Sequence, residues 1–207
     1  MKNLNIVLTL LLCCMLWSPA AAGAETAAGI IDKTAKKISG SASITASYHL
    51  TSPGEGSVSG TLTLAGDNFR MTSPRLITWY DGTTQWTYLV SENEVNVSEP
   101  TADELQQVNP FVIINTLRNT YTPSLQKSSN GEKCISLKAK NSKSDIVSAL
   151  LTINAATSLP KSITLNMSDN RKITISLSNV RTGKKLPVTA FRFDPKKYPG
   201  AEIIDLR

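Results

Sequence analysis

The sequence predicts a mainly β fold, a sheet of many short strands that curls or closes on itself, with a few short helices over its apolar face. Three observations lead there. Apolar and polar residues alternate along most of the chain, which is the period of a half-buried strand. Turn residues such as Gly66-Asp67, Asp81-Gly82 and Asn130-Gly131 punctuate the alternation at short intervals. Helical signals are confined to the start of the chain and to one interruption near its middle.

The chain has 207 residues. Its first two dozen have the layout of a secretory leader: Lys2, an apolar run from Leu4 to Trp17, then small residues from Ala20 to Ala24. The run is too short for a spanning helix. Cleavage is expected after Ala22 or Ala24, which places the protein in the periplasm. Cys13 and Cys14 raise lipid attachment as another reading, but Leu10, Leu11 and Leu12 stand where such a site wants small residues. Loss of 1–24 removes one lysine from a formal net charge of +6 and leaves +5. It also removes two of three cysteines, so Cys134 stays without an intramolecular disulfide partner. The remaining 25–207 has the length of a single domain, which commonly runs about 100–200 residues.

An opening helix is expected from Glu25 to Ile38, with Ile30, Ile31, Ala35 and Ile38 near one face. A strand follows, in which Ile44, Ala46, Tyr48 and Leu50 alternate with polar residues until Pro53-Gly54 breaks it. A two-residue turn at Gly66-Asp67 would set Leu64 opposite Phe69 and Leu62 opposite Met71. One at Asp81-Gly82 would set Trp79 opposite Thr84 and Ile77 opposite Trp86. One at Glu92-Asn93 would set Val90 opposite Val95 and Tyr88 opposite Val97. A three-residue loop, Asp169 to Arg171, would pair Met167 with Ile173, Leu165 with Ile175 and Ile163 with Leu177. Another alternating stretch runs from Ser144 to Ile153, and the chain closes with Phe191-Arg192-Phe193 and an extended tail. The count comes to about eleven strands.

The interruption is helical. Thr101 with Glu104 three residues later forms a capping-box pattern. Asn109-Pro110 is a second helix start, with Phe111, Ile113, Ile114 and Leu117 behind it. Such short helices, with the opening one, could cover the apolar face of the sheet.

Catalytic and metal chemistry find little support. His49 is the one histidine, and it lies on the polar side of its strand without an adjacent nucleophile. Three or four clustered ligands for a metal are missing. Asp67, Asp81 and Asp169 sit singly at turns, where Asp bonds its own backbone. Asp103-Glu104 belongs to the capping box. No cofactor is expected. The cations are dispersed as Lys33, Lys36 and Lys37, Lys184-Lys185 and Lys196-Lys197. That pattern argues against nucleic acid and allows ordinary surface or a transient contact with anionic lipid. What remains is apolar surface. Leu62, Leu64, Phe69, Met71, Ile77, Trp79, Trp86, Tyr88, Val95 and Val97 read as one shared face. That face is either a plain sandwich core or, with Phe111, Ile113, Ile114 and Leu117, the lining of a cavity for acyl chains. One sixteen-carbon chain buried there is worth roughly 12 kcal/mol.

The segment GTLTLAGDNFRMTSPRLITWYDGTTQWTY, from Gly60 to Tyr88, resembles the LolA-like periplasmic carriers of outer-membrane lipoproteins, and in particular their divergent lipoprotein-chaperone branch. EVNVSEPT from Glu94, Asn109-Pro110-Phe111, and FRFDPKKYPGAEIID from Phe191 continue it in order. The resemblance implies an incomplete, half-open antiparallel β-barrel closed by a helical lid. It implies a monomeric carrier, not an enzyme, that binds acylated lipoproteins and moves them from the inner to the outer membrane. An inner-membrane lipoprotein-releasing ABC transporter would load it and an outer-membrane acceptor would unload it. A lipid- or glycolipid-sensing module of the same fold, signalling through a partner, is the alternative. The better-known carriers place an arginine just before the proline of this segment, reaching toward the lid. Here Ser73 stands there, before Pro74, with Arg70 and Arg75 as neighbouring candidates for a latch.

Overall fold

In a computed structural model, residues 25–54, 56–101, 104–105, 114 and 120–207 are described. The leader segment and the predicted lid positions Phe111, Ile113 and Leu117 lie outside them. Helix α1, Ala27–Ser39, starts where Thr26 accepts a hydrogen bond from the Gly29 amide at 3.0 Å. That side-chain cap satisfies one of the helix's free amides. Ile30, Ile31, Thr34 and Ile38 form its buried stripe.

Six strands follow in a meander: β1 (Ser43–Ser52), β2 (Gly56–Ala65), β3 (Asn68–Thr72), β4 (Leu76–Tyr80), β5 (Gln85–Leu89) and β6 (Glu94–Ser98). A second meander comprises β7 (Tyr121–Gln126), β8 (Glu132–Ala139), β9 (Ile146–Asn154), β10 (Pro160–Met167) and β11 (Lys172–Gly183). The two join where β11 pairs antiparallel with β1. The short β12, Glu202–Asp205, returns parallel to β6. The result is one open sheet of twelve strands with β12 and β7 at its edges. The half-open architecture expected from the sequence is therefore present, with one strand more than expected and a parallel edge.

Hairpin registers test the turn readings individually. Gly66, at φ 59°, makes the two-residue turn, and Leu64 faces Phe69 as expected. At Asp81 the loop is four residues long. Asp81 Oδ1 accepts from the amides of Thr83 and Thr84, so Trp79 faces Trp86 and Ile77 faces Tyr88. The loop 90–93 also holds four residues, closing on Asn93 at φ 54°, so Tyr88 faces Val95 and Trp86 faces Val97. In the β10–β11 hairpin Met167 closes against Arg171 and Asn170 takes φ 67°, so Leu165 faces Ile173 and Ile163 faces Ile175. Each of these three corrections moves the register by two. A shift of two keeps every side chain on its face, whereas a shift of one would reverse it.

The core lies on one face of the sheet, called here the inner face. Ile44, Leu62, Leu64, Phe69, Ile135, Leu151 and Ile163 belong to one cluster with Ile30, Ile31 and Ile38 of α1 and with Ile114. Ile114 is only 2% exposed. The capping box is formed as read: Glu104 donates its amide to Thr101 Oγ1 at 3.3 Å, and Glu104 Oε2 accepts from the Thr101 amide at 2.7 Å.

Candidate functional site

The predicted lining residues divide between two sites. Their division follows from one turn. The Ser73 amide donates to the Leu76 carbonyl at 2.8 Å, closing a two-residue turn at Pro74-Arg75. That closure pairs Phe69 with Tyr80, Arg70 with Trp79 and Met71 with Thr78. Directly opposite residues point to the same face. So Leu62, Leu64, Phe69 and Met71 face inward, while Ile77, Trp79, Trp86, Tyr88, Val95 and Val97 face outward. The expectation of one shared face is corrected here. Proline after Ser73 is the signal that would have found it, since proline favours the first central position of a turn.

The inner site is apolar and mainly aliphatic. Leu62, Leu64 and Phe69 are fully buried, and Met71 is half-buried against the same cluster. Phe69 stacks on Tyr80 at 5.3 Å between ring centroids. The neighbouring Gly60 has no room for a side chain: an added Cβ would come within 2.0 Å of the Thr72 carbonyl and 2.7 Å of Tyr48 Oη. Tyr48 therefore lies across the glycine, which brings β1, β2 and the end of β3 together beside Ser73. Among the described residues no second sheet covers this face; α1 and Ile114 pack on it.

The outer site is aromatic. The C-terminal strap runs through two 3-10 turns, Val188–Phe191 and Pro195–Lys197, into β12. Trp79 meets Phe193 edge-on at 5.7 Å and Tyr198 at 5.5 Å, and Tyr88 lies 4.7 Å from Tyr198. Phe191 is 1% exposed but stands apart from the inner cluster. Besides the backbone pairing of β12 with β6, side-chain polar contacts anchor the strap at two points. Arg192 Nε donates to Asp81 Oδ2 at 2.7 Å. Asn93 Nδ2 donates to the Gly200 carbonyl at 2.8 Å, while Asn93 Oδ1 accepts from Tyr88 Oη. Burial alone would raise the Asp81 carboxyl, but the Thr84 and Thr83 amides and the Arg192 guanidinium hold it below its usual value. The phenols of Tyr48 and Tyr80 are pushed up, chiefly by burial.

None of the three latch candidates points inward as a cation. Ser73 is buried; its hydroxyl donates to the Leu76 carbonyl and accepts from the Leu76 amide, each at 3.1 Å, and its side chain also hydrogen-bonds the Tyr48 phenol. Arg75 sits exposed in the turn, and Arg70 lies on the outer face. His49 is exposed, with Nδ1 2.8 Å from Ser59 Oγ. Among the described residues, no group of three or more His, Cys, Asp and Glu could hold a metal ion, and no helix is long and apolar enough to cross a membrane.

Residues 17–170 match the family described as outer membrane lipoprotein carrier protein LolA. No curated protein matches the sequence. Among solved structures, an uncharacterised conserved protein from Thermus thermophilus superposes with a TM-score of 0.59 at 12% identity, covering 86% of this chain and 98% of that one. A LolA superfamily protein from Nitrosomonas europaea gives 0.45 at 12% identity, with 82% and 98% covered. The MucA/MucB complex of Pseudomonas aeruginosa contains a chain that gives 0.46 at 12% identity, with 82% and 62% covered. At 12% identity the Thermus thermophilus likeness is one of fold.

Proposed function

The chain belongs to that family, the LolA-like outer-membrane lipoprotein carriers, and from this premise we propose that it is a non-enzymatic periplasmic carrier of acylated lipoproteins. It would hold their acyl chains on the inner face of the sheet during passage from the inner to the outer membrane. An inner-membrane releasing transporter would load it and an outer-membrane acceptor would receive the cargo. One observation carries the reading: the apolar face built by Leu62, Leu64, Phe69 and Met71 is covered, among the described residues, by helix α1 and by Ile114 rather than by a second sheet. A cover that is not hydrogen-bonded into a ladder can be displaced without breaking the sheet. Acyl chains taking the place of Ile114 would bury comparable apolar area, at roughly 0.8 kcal/mol per methylene.

Native mass spectrometry with a triacylated peptide tests this. The parent protein is expected to retain the peptide. Met71→Asp, at a half-buried position of the inner face, is expected to weaken retention at least about ten-fold while the protein stays folded, since a charge among acyl chains is strongly disfavoured. Absence of any retained peptide would remove the carrier reading. A protein that binds a membrane signalling partner but no acyl peptide would instead be the sensing module.

A further inference from the structure

Between β2–β4 and the C-terminal strap lies a groove of about 380 Å³ on the outer face. It is separate from the inner aliphatic face, because its sheet residues have the opposite parity. Ile77 and Trp79 supply an apolar wall, Tyr198 of the strap closes one side, and Thr61 and Thr72 add hydroxyls. Three cations, Arg70, Arg192 and Lys197, converge on it with one anion, Asp194.

Those charges are unequally occupied. Arg192 is held by Asp81 at 2.7 Å and Lys197 by Asp194 at 3.6 Å. Arg70 takes part in none of the ion pairs found among the described residues. The groove thus carries one positive charge in excess, on a planar guanidinium that can offer two parallel N–H donors to an oxyanion. Arg70 faces Trp79 directly across the β3–β4 ladder. Its charge also reaches Tyr198, whose phenol burial pushes up and Arg70 pulls down. Tyr198 Oη has no hydrogen-bond partner among the described residues, so its donor is available. A volume in the lower part of the range of small-molecule sites, about 300–1,000 Å³, exceeds what a bare phosphate group fills.

We propose that this groove is a second ligand site, taking a small phosphate ester whose oxyanion is held by Arg70 and Tyr198 and whose apolar or aromatic body lies against Trp79 and Ile77. The inference is independent of acyl-chain binding on the inner face. The phosphate ester has two sources, a soluble molecule or the headgroup of an anionic lipid.

Tryptophan fluorescence reads the site directly, because Trp79 lines it. Phenyl phosphate is expected to change the signal saturably, and inorganic phosphate to bind more weakly. Arg70→Gln is expected to weaken phenyl phosphate by about ten-fold or more, the usual worth of a charge-assisted pair. Arg70 is exposed, so this variant is expected to melt like the parent; Tyr198→Phe, which removes only the hydroxyl, provides a second variant with a smaller loss. Cosedimentation with phosphatidylglycerol vesicles that requires Arg70 and is competed by phenyl phosphate would assign a lipid headgroup. Phenyl phosphate binding without vesicle binding would assign a soluble ester. Equal affinity of parent and Arg70→Gln for phenyl phosphate, or no saturable signal, would overturn the site. Retention of the triacylated peptide, measured on the same samples, reports on the inner face separately.

Discussion

The inner face of this sheet is apolar at β2–β3 and the outer face at β4–β6, and the two clusters differ in what depends on them. The inner face is mainly aliphatic, with Tyr48, Phe69, Tyr80 and Tyr121 among its leucines and isoleucines, and it is continuous. Its cluster runs from α1 through β1–β3 and on into β8–β11, with Ile135, Leu137 and Leu151 wholly buried. Few strands would keep their packing if it were lost. The outer cluster is aromatic and local. It joins β4–β6 to the strap through ring edges, one ion pair and the Asn93 contacts. A concentration of tryptophan and tyrosine in the sequence therefore marks the place where the chain end docks, and the plainer leucines and isoleucines mark the centre of the fold.

Substitutions on the two faces separate these roles. The largest loss is expected for Phe69→Ala, at a fully buried inner position. It should cost about 3–5 kcal/mol, measured by urea unfolding, with protection falling across both meanders. Phe191→Ala removes an equally buried ring of the strap. Its cost is limited by the free energy of docking the strap, and hydrogen exchange should rise in β12 and near Tyr198 while β8–β10 amides stay protected. Uniform loss of protection in that variant would erase the distinction between the faces.

Acid gives a smaller effect with a definite sign. Asp81 is held below its unfolded value in the native state, so its contribution is fully present above the ordinary carboxylate range. That contribution is lost as pH falls through its lowered native value. Strap exchange should accelerate over that interval, and Asp81→Asn should remove this pH dependence. The smallest effect is expected at Ser73→Ala, about 1–2 kcal/mol, because the backbone closure to Leu76 remains although the hydroxyl's bonds to Leu76 and its bond with the Tyr48 phenol are lost. A much larger loss, read by thermal melting, would show that the turn depends on this hydroxyl and would make it the determinant of which face Trp79 occupies.

Much of the fold was legible residue by residue. The Gly66-Asp67 hairpin, the alternation of β1, the capping box at Thr101 and the apolar face of α1 all follow from local chemistry; the start of α1 lies two residues beyond the expected Glu25, where Thr26 caps it. Loop lengths at Asp81, Asn93 and Asn170 were harder, because side-chain bonds and left-handed asparagines extend or displace the turns. Those errors did not disturb the faces. The unread turn at Pro74-Arg75 did: without it nothing relates the parity of β3 to that of β4, and the aromatic residues join the leucines by default. The strap could not be placed at all, since Phe193 and Tyr198 lie more than a hundred residues beyond the tryptophan they touch.

The sequence by itself determined which residues share a face within each hairpin, because side chains in a strand alternate with period two and an even register error preserves that alternation. The tertiary structure alone decided what covers each face. Covering depends on contacts between distant segments, α1 and Ile114 against the leucines, and Phe193 and Tyr198 against Trp79, and no local periodicity encodes such a meeting.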